Sequence, residues 1–141
     1  MKKDDDFLQN FVNLSTGEKI TIGRSALSEL ATCFEKGGLD DETITMFILS
    51  TLSIFVSADN TCTYEEYEMF KELTNYNIEE EDFYTLCKRG REPEMVESFN
   101  QMFHNLSNDD KWNILLVGLS IISSDNEINI EEQQLLKKLI S

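Results

Sequence analysis

The sequence predicts an all-α protein of seven or eight helices, and three observations support this prediction. Apolar residues recur three and four positions apart along most of the 141 residues. Helix-capping residues stand at the ends of these apolar stripes. One stretch alone, Glu18 to Ile22, alternates like a strand, and it is too short and isolated to build a sheet. A chain of this length is expected to bury a core without disulfides.

Three apolar stripes predict three helices in the first part of the chain. The first stripe consists of Phe7, Leu8, Phe11 and Val12, and the second of Leu27, Leu30, Ala31 and Phe34. Gly37 and Gly38 follow the second stripe, and glycine commonly ends a helix. Asp40 is placed to cap a long, buried third helix with the apolar residues Ile44, Phe47, Ile48, Leu52, Phe55 and Val56.

The second part of the chain carries similar helical signals. Acidic residues 79–82 suit the N-terminus of a helix, and Lys88, Arg89 and Arg91 suit its C-terminus. Pro93 suits the first turn of the next helix, whose stripe consists of Met95, Val96, Phe99, Met102, Phe103 and Leu106. Ser107 then caps a helix that carries Trp112, Leu115, Leu116, Leu119 and Ile122.

A helix–loop–helix unit occurs twice, at an offset of 66 residues. In both copies an apolar helix leads to Asp-Asn and then to Glu-Glu at the start of an amphipathic helix. The identical pairs are Ile48/Ile114, Leu49/Leu115, Ser57/Ser123, Asp59/Asp125, Asn60/Asn126, Glu65/Glu131, Glu66/Glu132, Lys71/Lys137 and Leu73/Leu139. The duplication predicts two related helical hairpins packed about a pseudo-twofold axis.

The acidic residues of the two loops allow two interpretations. In the first, they only shape the turns. Thr63 with Glu66, and Asn129 with Glu132, have the spacing of capping boxes, in which each side chain bonds to the other residue's backbone N–H. The loop aspartates would then accept N–H bonds near the positive end of the following helix.

In the second interpretation, the same acids bind a hard divalent cation of the Ca²⁺ or Mg²⁺ type. The candidate ligands are Asp59, Glu66, Asp125 and Glu132. The loops are not EF-hands, because the twelfth position counted from each aspartate is Phe70 or Leu136 instead of glutamate. A cation site would have to pool acids from both copies, or use water.

These loops resemble the tellurite-resistance TerB-like proteins, in which an apolar helix leads to Ala-Asp-Gly and then to a glutamate in the next helix. The matching segments are residues 58–66 and 124–132, although Asn60 and Asn126 replace the family's glycines and Ser124 its second alanine. The resemblance covers residues 40–141. It implies a helical fold of two related halves, a cytoplasmic location, an acidic cation-binding surface at the four candidate ligands, and use in stress or membrane-associated settings.

Acidic residues are distributed unevenly along the chain. Residues 1–38 carry five basic and six acidic side chains, whereas the whole chain has a net charge of −15. We therefore expect residues 1–38 to form a helical appendage packed on a TerB-like acidic domain of residues 39–141. The net charge argues against binding to nucleic acid or to an anionic membrane. The longest uncharged run, residues 43–58, is too short for a membrane span, so direct insertion is not expected.

Cysteine and histidine usage gives no sign of catalysis. Cys33, Cys62 and Cys87 have the spacing of neither a zinc site nor a disulfide framework, so we expect buried, reduced thiols in a cytoplasmic protein. His104 is the single histidine, near a helix C-terminus, and no nucleophile motif or phosphate loop accompanies it. We expect no enzyme activity, no catalytic residue and no organic cofactor.

Three functions remain open on the sequence. The first is a non-enzymatic TerB-like module that binds a divalent cation and an unidentified protein partner, in a stress or tellurite-resistance setting. The second is a protein-interaction domain whose acids only cap helices and shape turns, and whose acidic surface recognises a basic partner. The third is an acidic mimic of nucleic acid. The sequence does not indicate an oligomeric state.

Overall fold

The computed structural model describes residues 7, 9–57, 63–124, 132 and 134–136. Six helices lie within these ranges: α1 (Thr16–Lys36), α2 (Asp41–Val56), α3 (Tyr64–Thr74), α4 (Glu80–Arg89), α5 (Pro93–His104) and α6 (Asn108–Ile122). Residues 7 and 9–12, and residues 132 and 134–136, are also helical. The described residues contain no strand, and the prediction of an all-α fold with seven or eight helices is confirmed.

The strand-like stretch Glu18 to Ile22 is helical and belongs to the first turns of α1. A capping box starts this helix. The Ser15 hydroxyl accepts a hydrogen bond from the Glu18 N–H at 3.1 Å, and the Ser15 N–H donates to Glu18 Oε1 at 3.2 Å. The bond from the Ser15 N–H to its carboxylate lowers the pKa of Glu18. The alternating pattern therefore comes from the first turn of an amphipathic helix.

The other predicted helix ends are confirmed. Asp40 Oδ1 accepts from the Thr43 N–H at 2.8 Å. Hydrogen bonding from the Thr43 hydroxyl, together with this backbone bond, lowers the pKa of Asp40. Ser107 Oγ accepts from the Asp110 N–H at 3.2 Å at the start of α6. Pro93 opens α5. Each of these residues satisfies or replaces a backbone donor that a helix N-terminus leaves without a partner.

α2 and α6 run through the centre of the protein, and apolar side chains surround both. Leu52 and Val56 of α2 pack in one apolar cluster with residues of α1, α3 and α4. Phe55, on another face of α2, packs in a second cluster with residues of α5 and α6. Trp112 departs from the predicted core, since it is 47% exposed and contacts the Phe7 ring at 5.2 Å. Within the described ranges, no helix is long and apolar enough to cross a membrane.

Helix α1 lies inside the segment expected to be an appendage, and it contributes to both apolar clusters. It packs against α6 and α3. Ala26 is buried in the first cluster and Leu30 in the second. The backbone of α1 is also tied to α6, because Ser120 Oγ donates to the Lys19 carbonyl at 3.1 Å. The division of the chain at residue 38 stays a prediction.

Candidate functional site: the paired helix–turn units

The two copies of the repeated unit end their first helices in the same way. Ser57 follows α2 and Ser123 follows α6, and both have φ near −96°. Each serine N–H and hydroxyl donate to the carbonyl four residues earlier, which is Ser53 O in one copy and Leu119 O in the other. Both serines are buried. The local geometry thus agrees with the 66-residue offset, while the pseudo-twofold arrangement stays a prediction.

Two of the four predicted cation ligands lie within the described residues. Glu66 is 4% exposed and Glu132 is 5% exposed, so the equivalent glutamates of both copies are buried. Asp59 and Asp125 lie outside the described residues. Among the residues that the structure describes, no group of three or more His, Cys, Asp or Glu side chains is placed to hold a metal ion. The four-carboxylate site stays a prediction.

Glu66 has a clear structural role at the start of α3. Its Oε1 atom accepts from the Thr63 N–H at 3.0 Å and from the Thr63 hydroxyl at 3.2 Å. The Glu66 N–H donates to Thr63 Oγ1 at 3.1 Å, which completes the predicted capping box. The corresponding residue Asn129 of the second copy lies outside the described residues. The predicted capping box of the first copy is therefore confirmed, while the role of Glu66 as a cation ligand stays a prediction.

A buried lysine, which the sequence patterns did not predict, lies at the end of α6. Lys19 is 1% exposed, and its Nζ donates to the Ser123 carbonyl at 2.7 Å. A positive charge is favourable there, because the carbonyls at the end of a helix carry partial negative charge. One signal was present in the sequence. Lys19 precedes Gly23, Ala26 and Leu30 at helical spacing, on the buried face of α1.

The cysteines do not all behave as expected. Cys87 is disulfide-bonded, so the expectation of reduced thiols is wrong for this residue. Cys33 is free and exposed instead of buried, and Cys62 lies outside the described residues. The Cys33 thiol donates to Asp110 Oδ2 at 3.5 Å, and this contact raises its pKa. The predicted cytoplasmic location loses the support of reduced thiols, because disulfides persist mainly in oxidising compartments.

A groove between α2 and α5 is the second feature that the sequence analysis missed. Its volume is about 380 Å³, and Met46, Met95 and Met102 line it together with Phe47 and Phe99. The apolar stripes of both helices predict core residues and give no sign of a groove. Met46 in this groove is 61% exposed, whereas Phe99 is buried.

The chain matches no protein-family model, no curated protein and no solved structure. The resemblance to TerB-like proteins therefore stays a prediction that rests on the two short loop motifs.

Proposed function

We propose that this protein is a non-enzymatic interaction module whose acidic surface binds a basic protein partner. The observation that supports this proposal is that two neighbouring helices carry acidic residues but no lysine or arginine. Asp41 and Glu42 of α2, and Glu94 and Glu97 of α5, are exposed, and neither helix contains a lysine or an arginine. The sequence has no basic residue at all between Lys36 and Lys71. Such a surface attracts cationic partners and speeds their association.

Internal ion pairs neutralise little of this surface. Two ion pairs join surface side chains of the described residues, Arg24 with Glu72 at 3.2 Å and Lys71 with Glu68 at 3.6 Å. Neither pair involves α2 or α5. The acids of these two helices thus remain available to a partner. A bound basic partner would also reduce the electrostatic repulsion among these acids.

The test begins with affinity capture from the native host and continues with the purified captured protein. We expect its dissociation constant to weaken steeply as potassium chloride is raised from about 50 mM to about 300 mM, because screening shortens the Debye length from ~14 Å to ~6 Å. An affinity that does not change with salt would contradict the proposal. Competition by duplex DNA for the same partner would instead favour the acidic mimic of nucleic acid.

A divalent cation is the second candidate function, and the equivalent burial of Glu66 and Glu132 favours it. Carboxylates from both copies would supply the hard oxygen ligands that Ca²⁺ and Mg²⁺ prefer. Thermal unfolding with millimolar Mg²⁺, Ca²⁺, Mn²⁺ or Zn²⁺ tests this candidate against monovalent salt of equal ionic strength. A cation present at about 100 times its dissociation constant should add about 2.7 kcal/mol to the free energy of unfolding.

The matched variant for the cation test carries Asp59→Ala and Asp125→Ala together. We expect it to lose the cation-specific shift while it keeps the helical circular-dichroism signal of the parent. If the variant and the parent respond equally, the four-residue assignment is wrong. If neither shows more than the monovalent shift, the acids act as caps and the partner-binding proposal stands alone.

A further inference from the structure

We infer that the groove between α2 and α5 is the docking site for an amphipathic helix of the partner, apolar on one face and basic on its flanks. This inference deepens the proposed function and rests on it. The groove runs between two packed helices, which is the shape that receives a helix with apolar residues at i, i+3, i+4 and i+7. The groove-lining residues of α5 run from Met95 to Met102, so about two turns of a ligand helix would lie along ~11 Å of groove.

The side chains of the groove suit a ligand helix that inserts apolar anchors. Three of them are methionines, and methionine is flexible and polarizable enough to adapt to different apolar partners. Phe47 and Phe99 provide aromatic surface from the two walls. Met46 is the most exposed of the large apolar residues within the described ranges, and a ligand helix would remove its side chain from water.

The acidic residues beside the groove favour a ligand helix with basic residues on its flanks. Glu42 lies one turn before the groove residue Met46, and Glu94 lies one turn before the groove residue Ser98. Residues four apart are neighbours on a helix surface, so each wall presents a carboxylate next to the apolar groove. Neither wall carries Lys or Arg, so an acidic or neutral ligand helix would form no ion pair with the walls. A ligand helix with lysines or arginines on both flanks would pair with the carboxylate of each wall.

Thr51 also lines the groove, but its hydroxyl group does not add a polar surface. The residue is 4% exposed, and its hydroxyl oxygen is shielded from solvent. We therefore expect the ligand helix to meet an apolar surface at this position.

Binding of fluorescent designed peptides to the whole chain tests the inference. The probe is a Leu/Lys helix of about 14 residues, ~21 Å long, with its leucines on one face. Its controls are a scrambled Leu/Lys peptide of equal composition, a Leu/Gln helix and a Leu/Glu helix with the same leucine pattern. We expect the Leu/Lys helix to bind about tenfold more tightly than each control, a difference of ~1.4 kcal/mol.

Two pairs of protein variants locate the binding. Met46→Ser should weaken binding of the Leu/Lys helix about tenfold. Tyr64→Ser changes a large aromatic residue of similar exposure outside the groove, and it should not weaken binding. Glu42→Gln with Glu94→Gln should weaken it similarly. Glu35→Gln with Glu81→Gln removes the same net charge from exposed residues that lie on other helices and do not line the groove, and should leave binding nearly unchanged.

The remaining outcomes overturn the inference in distinguishable ways. If the scrambled peptide binds as well as the helix, or both charge variants weaken binding equally, acidic recognition stands and the groove assignment fails. If the Leu/Gln or Leu/Glu helix binds as tightly, the basic flanks are wrong. If no Lys peptide binds at low salt, the proposed function fails as well. If Met46→Ser instead abolishes self-association in sedimentation, the groove holds a second copy of this chain.

Discussion

Lys19 carries a positive charge into the interior, at the point where α6 ends. Its ammonium donates to the Ser123 carbonyl, and its own carbonyl accepts from Ser120 Oγ, so one residue joins α1 to the last turn of α6 through two bonds. Lysine is almost never fully buried unless its charge is compensated. The last carbonyls of α6 supply part of that compensation, since they lack donors within the helix.

Replacing Lys19 by methionine should lower the stability of the protein. Lys19→Met keeps a long unbranched side chain but leaves the buried Ser123 carbonyl without the ammonium donor, at an expected cost of about 1–3 kcal/mol. Urea unfolding of the parent and variant measures this cost. Lys36→Met, at the exposed C-terminal end of the same helix, should cost no more than about 1 kcal/mol. A Lys19→Met variant as stable as the parent would mean that desolvation of the charge cancels its bonds.

The residues that the sequence could place are those whose partners lie close in the chain. Asp40, Thr63 and Ser107 each bond to the backbone three residues later, so a short motif contains the whole interaction. Lys19 differs because its partner Ser123 is 104 residues away. No local sequence pattern predicts such a contact. The position of Lys19 on the hydrophobic face of α1 is the one sequence signal that indicates burial of its side chain.

At the scale of elements, helices could be recognised wherever the apolar stripe was longer than two turns. The exception was the start of α1, where Lys19 interrupts the apolar face and the pattern from Glu18 to Ile22 alternates. The capping spacing from Ser15 to Glu18 was the better signal, since it depends on one local bond pair and not on burial. The groove between α2 and α5 could not be predicted, because its lining comes from two helices that are distant in sequence and meet only in the folded chain.

The junction of α4 with α2 depends on the absence of a side chain at Gly90. This glycine ends α4, and a Cβ built on it would lie 2.1 Å from the Ser53 carbonyl oxygen and 2.5 Å from Ser57 Oγ. Its φ of −66° is open to any residue, so the constraint is contact and not backbone conformation. The end of α4 therefore approaches α2 backbone to backbone, next to the turn that follows Val56.

Gly90→Ala should push α4 away from α2 and destabilise the protein by about 1–3 kcal/mol. The midpoint of urea unfolding should fall accordingly. Gly17→Ala is the matched control, since nothing lies within 4 Å of a Cβ at that position in the first turns of α1. Because alanine favours helix more than glycine does, this control should gain up to about 1 kcal/mol. Equal midpoints for both variants would show that α4 shifts without cost.

At the scale of the whole molecule, charge is the dominant property. A net charge of −15 on 141 residues favours expansion, because folding brings the acids closer together. Helix N-termini offset part of this repulsion, because the positive end of the helix dipole stabilises nearby negative charge. Two or more acids lie in the first turn of each of α2, α3, α4 and α6. The remaining repulsion must be offset by burial of the two apolar clusters or screened by solution ions.

Monovalent salt should therefore stabilise this protein. Raising ionic strength from about 10 mM to about 300 mM shortens the Debye length from ~30 Å to ~6 Å, so that repulsion between acids on different helices is largely removed. A gain of about 1 kcal/mol corresponds to a rise in Tm of roughly 4 °C for a domain of this size. Calorimetry in potassium chloride and in choline chloride measures the rise. Equal shifts in the two salts identify screening, whereas a larger shift in potassium would reveal a bound cation. A Tm that falls with salt would show that favourable ion pairs outweigh the repulsion, and it would remove the charge argument for a basic partner.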